Sequence, residues 1–257
     1  MANSLKADVL LLAAGFGTRL RPLTDSIPKP LIKVGDKSLL EWNLLALYRS
    51  GCRRVFVNAH HLAPQITSFV ATFTGVDIEI KIVYEPVILD TGGALRNIES
   101  ELEYDNVIVI NSDILLGDDF DFREVLLSHK RELLRGALAT LVLRKNDNAE
   151  EFGMLGTDLD GSVVSFLGER FFRQASDCGT QDQKEEIAKY MFLGVSVWNK
   201  KSFSYMPQDR NVFSLTRDLL VAILRANKKV SSFIYRGYWS DVGTFDRLKE
   251  ACMRVEG

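Results

Sequence analysis

Cysteine is scarce. The three in this 257-residue chain, Cys52, Cys178 and Cys252, lie far apart and form no C-x-x-C pair. Neither a zinc knuckle nor a disulfide framework is supported, and a reducing compartment, the cytoplasm, is the expected location. Long apolar runs are missing as well: the longest, Val9 to Ala14, is too short to span a membrane. Asp8 before it and Gly15-Phe16-Gly17 after it argue against a secretory signal. Nor is there an excess of one charge, with 32 basic against 34 acidic residues. The chain therefore has no electrostatic case for nucleic acid or an anionic membrane as partner. No internal repeat or low-complexity segment is visible. What remains is ordinary globular composition, 46% apolar and 26% charged, at a length that needs no disulfide staples.

Strand-length apolar runs alternate with stretches of helical period. Asp8 to Ala14 reads as a buried parallel strand. Ser38-Leu39-Leu40-Glu41 is a capping box, and the helix behind it is expected to bury Trp42, Leu45 and Tyr48. A strand at Arg54 to Asn58, a helix opened by Pro64, a strand at Ile78 to Tyr84, a helix from about Gly93 and a strand at Val107 to Asn111 follow. This β-α-β-α-β-α-β order implies an α/β fold: a Rossmann-like, mostly parallel sheet flanked by helices, with ligands beyond the carboxyl ends of its strands. After Ala137 the pattern changes. Gly153 to Gly156 and Ser162 to Leu167 form an expected hairpin, with Asp160-Gly161 suited to a type I′ turn. Polar residues 171–189 read as a mobile loop or insertion. Tyr190 to Trp198 is a strand, Ser214 to Ala226 a capped helix ending near Lys228-Lys229, Val230 to Tyr235 a strand, and Thr244 opens the closing helix. The expectation is one domain over 1–257, with a parallel half at 1–135 whose strand ends would hold the ligand and a second half at 136–257 carrying a small antiparallel appendage.

The strongest chemical signal follows the first strand: Gly15-Phe16-Gly17-Thr18-Arg19-Leu20-Arg21-Pro22-Leu23-Thr24, then Pro28-Lys29-Pro30. A glycine loop after a parallel strand lets backbone amides approach phosphates, and Arg19 and Lys29 can neutralise a polyphosphate. Pro28 and Pro30 are expected to hold Lys29 extended. A dinucleotide fingerprint would need glycine where Leu20 stands and an acid where Asn58 stands, and a Walker loop would need Gly-Lys-Ser/Thr, which does not occur. A merely tight turn explains the glycines but not the cations. The adjacent His60 and His61 point to opposite sides and read as polar loop residues. Trp239 and Phe245 read as packing.

This loop, with Thr91-Gly92-Gly93-Ala94, Asn111-Ser112-Asp113 and Tyr238-Trp239-Ser240-Asp241-Val242-Gly243-Thr244 following in the same order, resembles the sugar-1-phosphate nucleotidyltransferases. The resemblance covers almost the entire chain. It implies transfer of a nucleoside monophosphate from a nucleoside triphosphate to a sugar 1-phosphate, with release of pyrophosphate. It makes Asp113 and Asp241 the carboxylates that hold Mg²⁺, an ion that takes one or two carboxylates plus phosphates and water. Arg19 then steadies the triphosphate and Lys29 contacts the transferred phosphate. Ala13, Ala14, Gly15, Gly17 and Thr18 are expected to offer groups to the nucleotide. Gly92 and Gly93 would let it lie close, and Glu85 would read the base edge. On the acceptor side, the family's glutamate-lysine-proline is met here by Glu169 and Arg170 without the proline, with Gly153 and Gly194 flanking the sugar. No hexapeptide repeat follows residue 250, so the β-helix of some members is not expected. Mannose-1-phosphate guanylyltransferases and muramate-1-phosphate uridylyltransferases are the nearest branches; guanine and uracil both stay open, as does the oligomeric state. A catalytically silent nucleotide-sugar-binding relative, or a phosphocholine-type cytidylyltransferase, is the alternative. Loss of the four charged residues would mark the first, and turnover of choline phosphate the second. Asp113→Asn is expected to abolish turnover and leave thermal stability unchanged or raised.

Overall fold

A computed structural model of the chain describes residues 4–145, 154–171 and 188–256. Strands occur in the order β1 (Asp8–Leu12), β2 (Lys33–Val34), β3 (Lys37–Ser38), β4 (Arg54–Ala59), β5 (Glu79–Tyr84), β6 (Asn106–Asn111) and β7 (Ile114–Leu116). They continue with β8 (Ala137–Arg144), β9 (Met154–Thr157), β10 (Val163–Phe166), β11 (Glu169–Arg170), β12 (Ala188–Asn199), β13 (Lys229–Ile234) and β14 (Trp239–Asp241). Ten of them form one sheet, with β11-β10-β9-β12-β6-β1-β4-β5 as its main path and β8 bridging β12 to β13. β1 pairs in parallel with β4 and β6, and β4 with β5, as the alternating order requires. β12 runs antiparallel to β6 and joins the second half of the chain to the parallel core.

Successive side chains of a strand face opposite sides. Accordingly Val9 and Leu11 enter one apolar layer and Leu10 the other. Helices Leu39–Arg49, Ala63–Thr72 and Phe122–Leu133 cover the first face; helix Asp90–Asn97 and the stretch Leu215–Arg225 cover the second. The Ser38 box forms as expected: its hydroxyl accepts from Glu41 N–H while Glu41 accepts from Ser38 N–H. The buried stripe of that helix is Leu40, Asn43, Leu44 and Leu47, with Trp42, Leu45 and Tyr48 half-buried on its flank. The apolar residues on that helix outnumber what one face can hold, and the more aliphatic set enters the core layer that also holds side chains of β1 and β4.

Other local expectations shift. Between β9 and β10 only Gly161 takes a positive φ, 73°, whereas a type I′ turn needs two such residues. Gly161 N–H instead donates to Asp158 O, and Asp158 Oδ1 accepts from Ser162 N–H. The segment capped by Ser214 begins as a π-helix, Leu215–Leu220, before turning α over Val221–Arg225. Lys229 opens β13, buried and 2.7 Å from Glu132 rather than at a helix end. Residues 188 and 189 of the expected loop belong to β12, and the expectation for residues 172–187 lies outside the described residues. Among the described residues no helix is long and apolar enough to cross a membrane.

Candidate active site

The carboxyl ends of β1, β4 and β6 open on one cleft. Two of these strands carry a polar residue near the end of an otherwise apolar run, Asn58 on β4 and Asn111 on β6. Asn58 Oδ1 accepts from Ala13 N–H at 2.6 Å, and Asn58 Nδ2 donates to Glu85 Oε1 at 2.8 Å. Glu85 Oε2 accepts from Leu89 N–H at 3.0 Å. Glu85 is fully buried and both its oxygens already accept a bond. It lines the cleft as the far end of a relay that fixes the glycine loop to the strand ends. Ala13 N–H is likewise committed, which leaves the loop's groups at Ala14 and Gly15 facing the cavity. At Gly15 a side chain would meet nothing within 4 Å.

Gly17 is needed for the turn. Its φ is 63°, and a Cβ would come within 2.8 Å of Thr24 Cγ2, while Thr24 Oγ1 donates to Gly17 O at 2.9 Å. A short 3₁₀ turn, Thr18–Leu20, follows, with Leu20 buried and Thr18 and Arg19 exposed. Lys29 does not sit in extended backbone. Pro28 is extended, but Lys29 opens a second 3₁₀ turn, Lys29–Leu31, which buries it. From there Lys29 Nζ reaches Asp113 Oδ2 at 2.5 Å.

Asp113 follows β6, and the sequence places Asp241 far along the chain. A small ladder unites them: β7 pairs with β14, Ile114 opposite Asp241, and Val242 N–H donates to Asp113 O at 2.9 Å. Gly243 leaves the room this requires, since a Cβ there would press on Arg19 and on Asp241 Oδ1. Asp241 Oδ2 accepts from Arg247 Nη1 at 3.2 Å and lies 3.8 Å from Arg19 Nη2. Asp241 Oδ1 is buried with no hydrogen-bond partner among the described residues. Burial, and then the neighbouring Asp113 carboxylate, raise the Asp241 pKa, against the pull of Lys29, Arg19 and Arg247. An orphaned carboxylate oxygen beside a second carboxylate fits a hard divalent cation that keeps other oxygen ligands. Among the described residues no group of three ligating side chains exists, so the remaining ligands would come from phosphate and water.

Three adjoining cavities meet here. The first is walled by the Ala13–Gly15 loop, Lys29 and Glu85; the third holds Arg19, Asp113, Trp239 and Asp241. The second lies between Gly194 and the segment Ser214–Arg217. Asn111 lines all three. Gly194, at φ 77°, must lack a side chain because a Cβ would stand 2.8 Å from Asn111 Nδ2. Arg19, Lys29, Asp113 and Asp241 are thus brought together, with Gly194 beside them.

Other expected residues are placed elsewhere. Gly92 and Gly93 do not offer close approach to the cleft. Their N–H groups donate to Phe213 O at 2.8 and 3.1 Å, and side chains there would collide with Phe213 and with Asn211 O. The glycines let the segment 211–213 press on helix Asp90–Asn97. Glu169 and Arg170 form β11 at the sheet edge, both exposed and outside the three cavities. Glu169 is held by Arg225 at 2.9 and 3.0 Å. Gly153 lies outside the described residues. His60 Nδ1 and His61 Nε2 bond separate carbonyls, of Glu85 and Thr24. Trp239 packs half-buried with Nε1 donating to Leu193 O, but Phe245 is exposed. Asn58, Asn111, Arg217 and Arg247 were missed as site residues. The signal for the asparagines was available: a polar residue near the carboxyl end of an apolar parallel strand.

Comparison with known proteins follows the same lines. A family model described as Nucleotidyl transferase matches residues 8–257. A mannose-1-phosphate guanyltransferase of Pichia angusta is 30% identical over 239 residues, 91% of this chain and 60% of the relative. A mannose-1-phosphate guanylyltransferase of Mycobacterium tuberculosis is 28% identical over 240 residues, 93% and 62%. The chain thus spans about three fifths of the curated relatives it matches. HddC from Yersinia pseudotuberculosis, solved with GMP-PN, superposes with a TM-score of 0.76 at 24% identity, over 97% of this chain and 99% of that one. A UDP-glucose pyrophosphorylase solved with UDP-glucose gives 0.75 at 16%, over 98% and 99%. These two likenesses establish the fold.

Proposed function

The chain belongs to the nucleotidyl transferase family, and on that premise we propose that it transfers a nucleoside monophosphate from a nucleoside triphosphate to a sugar 1-phosphate and releases pyrophosphate. The observation that carries this reading is the convergence of Lys29, Asp113, Asp241 and Arg19 where the first and third cavities meet at Asp113. A silent relative would not need all four, and that alternative gains nothing from this geometry.

The acceptor's phosphate oxygen is already anionic, so attack on the α-phosphorus needs no protein base. What the site must supply is alignment and charge compensation. The relay from Ala13 through Asn58 to Glu85 holds the loop against the strand ends, so the amides beyond it keep a fixed position. Lys29 is aimed by its bond to Asp113 toward the place where the α-phosphate would lie. Arg19, mostly exposed at the cavity mouth, is free to swing onto the β- and γ-phosphates and the departing pyrophosphate. Asp113 and Asp241 would hold Mg²⁺, which when bound supplies neutralisation of the phosphate oxygens. Guanine is the favoured base and mannose 1-phosphate the favoured acceptor, because the curated relatives carry those names. The cytoplasm, where nucleoside triphosphates are plentiful and thiols stay reduced, is the proposed location.

The test is pyrophosphate release from a grid of nucleoside triphosphates and sugar 1-phosphates, with and without Mg²⁺. Metal-dependent release is expected, with GTP and mannose 1-phosphate the first pair. Release with choline phosphate alone, or with no pair at all, would overturn the reading.

A further inference from the structure

A transferase must grip its acceptor, and the pair expected to do so is engaged elsewhere: Glu169 is tied to Arg225, and Arg170 stands on the edge strand. The second cavity offers a different cation. Of the three arginines between Arg210 and Arg225, the stretch that contains this wall, Arg210 is paired with Asp218 at 2.7 Å and Arg225 with Glu169 at 2.9 Å. Arg217 lines the cavity, is exposed, and has no ion-pair partner among the described residues.

Its backbone is firmly placed. Arg217 N–H donates to Ser214 Oγ at 3.2 Å, Leu215 N–H to Thr91 Oγ1 at 2.9 Å, and Gly92 and Gly93 bind Phe213 O. Arg96 adds bonds to the carbonyls of Pro207 and Arg210. The wall bearing Arg217 is therefore clamped to the start of helix Asp90–Asn97, and the cavity floor, Asn111 and Gly194, is shared with the cavity of Asp113 and Asp241. The other charged side chain on the cavity is Asp90, whose Oδ1 already accepts from Thr91 N–H at 2.6 Å. An uncompensated guanidinium, planar and bidentate, facing a cavity that adjoins the carboxylate pair is suited to an anion.

We propose that Arg217 holds the negatively charged group of the acceptor, a phosphate or a sugar carboxylate, in the second cavity. It takes the part that Arg170 was expected to play. This rests on the transferase reading above and adds to it the residue that selects the acceptor.

Steady-state kinetics of Arg217→Gln, Arg217→Lys and Arg170→Gln test it with the active pair found for the wild type. Arg217→Gln should raise KM for the sugar phosphate about tenfold. KM for the nucleotide should stay within about twofold and Tm should not move, because Arg217 is exposed. Arg217→Lys should recover part of the loss, and Arg170→Gln should change nothing. An effect on neutral and acidic sugar phosphates alike assigns the phosphate; an effect confined to uronic acid phosphates assigns a carboxylate. An unchanged acceptor KM in Arg217→Gln, or the whole effect in Arg170→Gln, would overturn the proposal. Should the wild type turn over no pair, the transferase reading falls separately. Calorimetric binding of mannose 1-phosphate and of a uronic acid 1-phosphate, each against mannose, then decides: a preference for either anionic ligand lost in Arg217→Gln supports the assignment, and equal binding of both ligands by wild type and variant refutes it.

Discussion

The cleft has two walls that treat charge differently. On the wall built by the glycine loop and β6, polar groups are met within the protein: Lys29 by Asp113, Ala13 N–H by Asn58, Asn58 by Glu85. On the wall built by β12, β14 and Ser214–Arg217, two are left open among the described residues: Asp241 Oδ1 has no partner and Arg217 no carboxylate. A charge satisfied internally fixes geometry. A buried charge left open, as at Asp241, costs stability until something arrives to meet it, and an exposed one, as at Arg217, stays available to a ligand. The first wall therefore reads as a template, and the second as the surface that incoming ligands complete.

The largest expected effect breaks the template at its cation. Lys29→Met should lower kcat about 10²- to 10³-fold, as loss of a charge aimed at the transition state does, with KM for the nucleotide changed far less. An equal rise in KM with kcat intact would place Lys29 in ground-state binding only.

The two carboxylates should then part company in stability. Asp113→Asn strands a buried Lys29 ammonium and should cost about 2 kcal/mol, discounted because a quarter of the Asp113 side chain is solvent-exposed. The expectation from sequence was unchanged or raised stability; the 2.5 Å approach of Lys29 to Asp113 is the reason for the opposite sign here. Asp241→Asn should raise Tm at neutral pH. The Asp241 pKa lies above its unfolded value, so the folded protein disfavours the charged form, and the penalty is present once pH exceeds the folded pKa. Melting both variants without added metal checks the pair; a shift of the same sign would erase the contrast between the walls.

Internal compensation also has a pH limit, at His129. The ring is fully buried, with Nδ1 against Thr140 Oγ1 at 2.9 Å and Nε2 against Asn106 Oδ1 at 3.1 Å. Burial, and secondarily Lys130, lower its pKa from 6.5 to about 4. The unfolded chain therefore takes up a proton as pH falls through 6.5 while the folded one does not. Stability should drop by about 2 kcal/mol between pH 7 and 5. Urea titrations at those two values measure it, and a flat profile would show that His129 is not held neutral.

The smallest effect concerns Gly93. Gly93→Ala forces a Cβ onto Asn211 O and should cost about 1–2 kcal/mol while raising the acceptor KM through the Arg217 segment. A raised nucleotide KM with Tm unchanged would restore the glycine to the nucleotide instead.

The parallel core was legible because β1, β4 and β6 are continuous apolar runs, and the Ser38 box because its partners are three residues apart. The glycine loop, Lys29 and Asp113 were legible as strand-end chemistry. What escaped depends on distant contacts. Nothing near Gly92 announces that Phe213 will lie on it, and nothing near Glu169 that Arg225 will hold it. Asp160-Gly161 has the residues of one turn, but the carboxylate of Asp158 selects another. Lys29 lies between two prolines yet turns into a 3₁₀ bend, because burial beside Asp113 outweighs local preference.

Pyrophosphate release by wild type and Asp241→Asn, measured across a Mg²⁺ titration with the active nucleotide and sugar phosphate, decides whether the carboxylate pair serves a metal. Release should require the metal in the wild type and fall at least about 10²-fold in the variant, although the variant melts higher. Metal-independent release, or full activity in Asp241→Asn, would contradict that role.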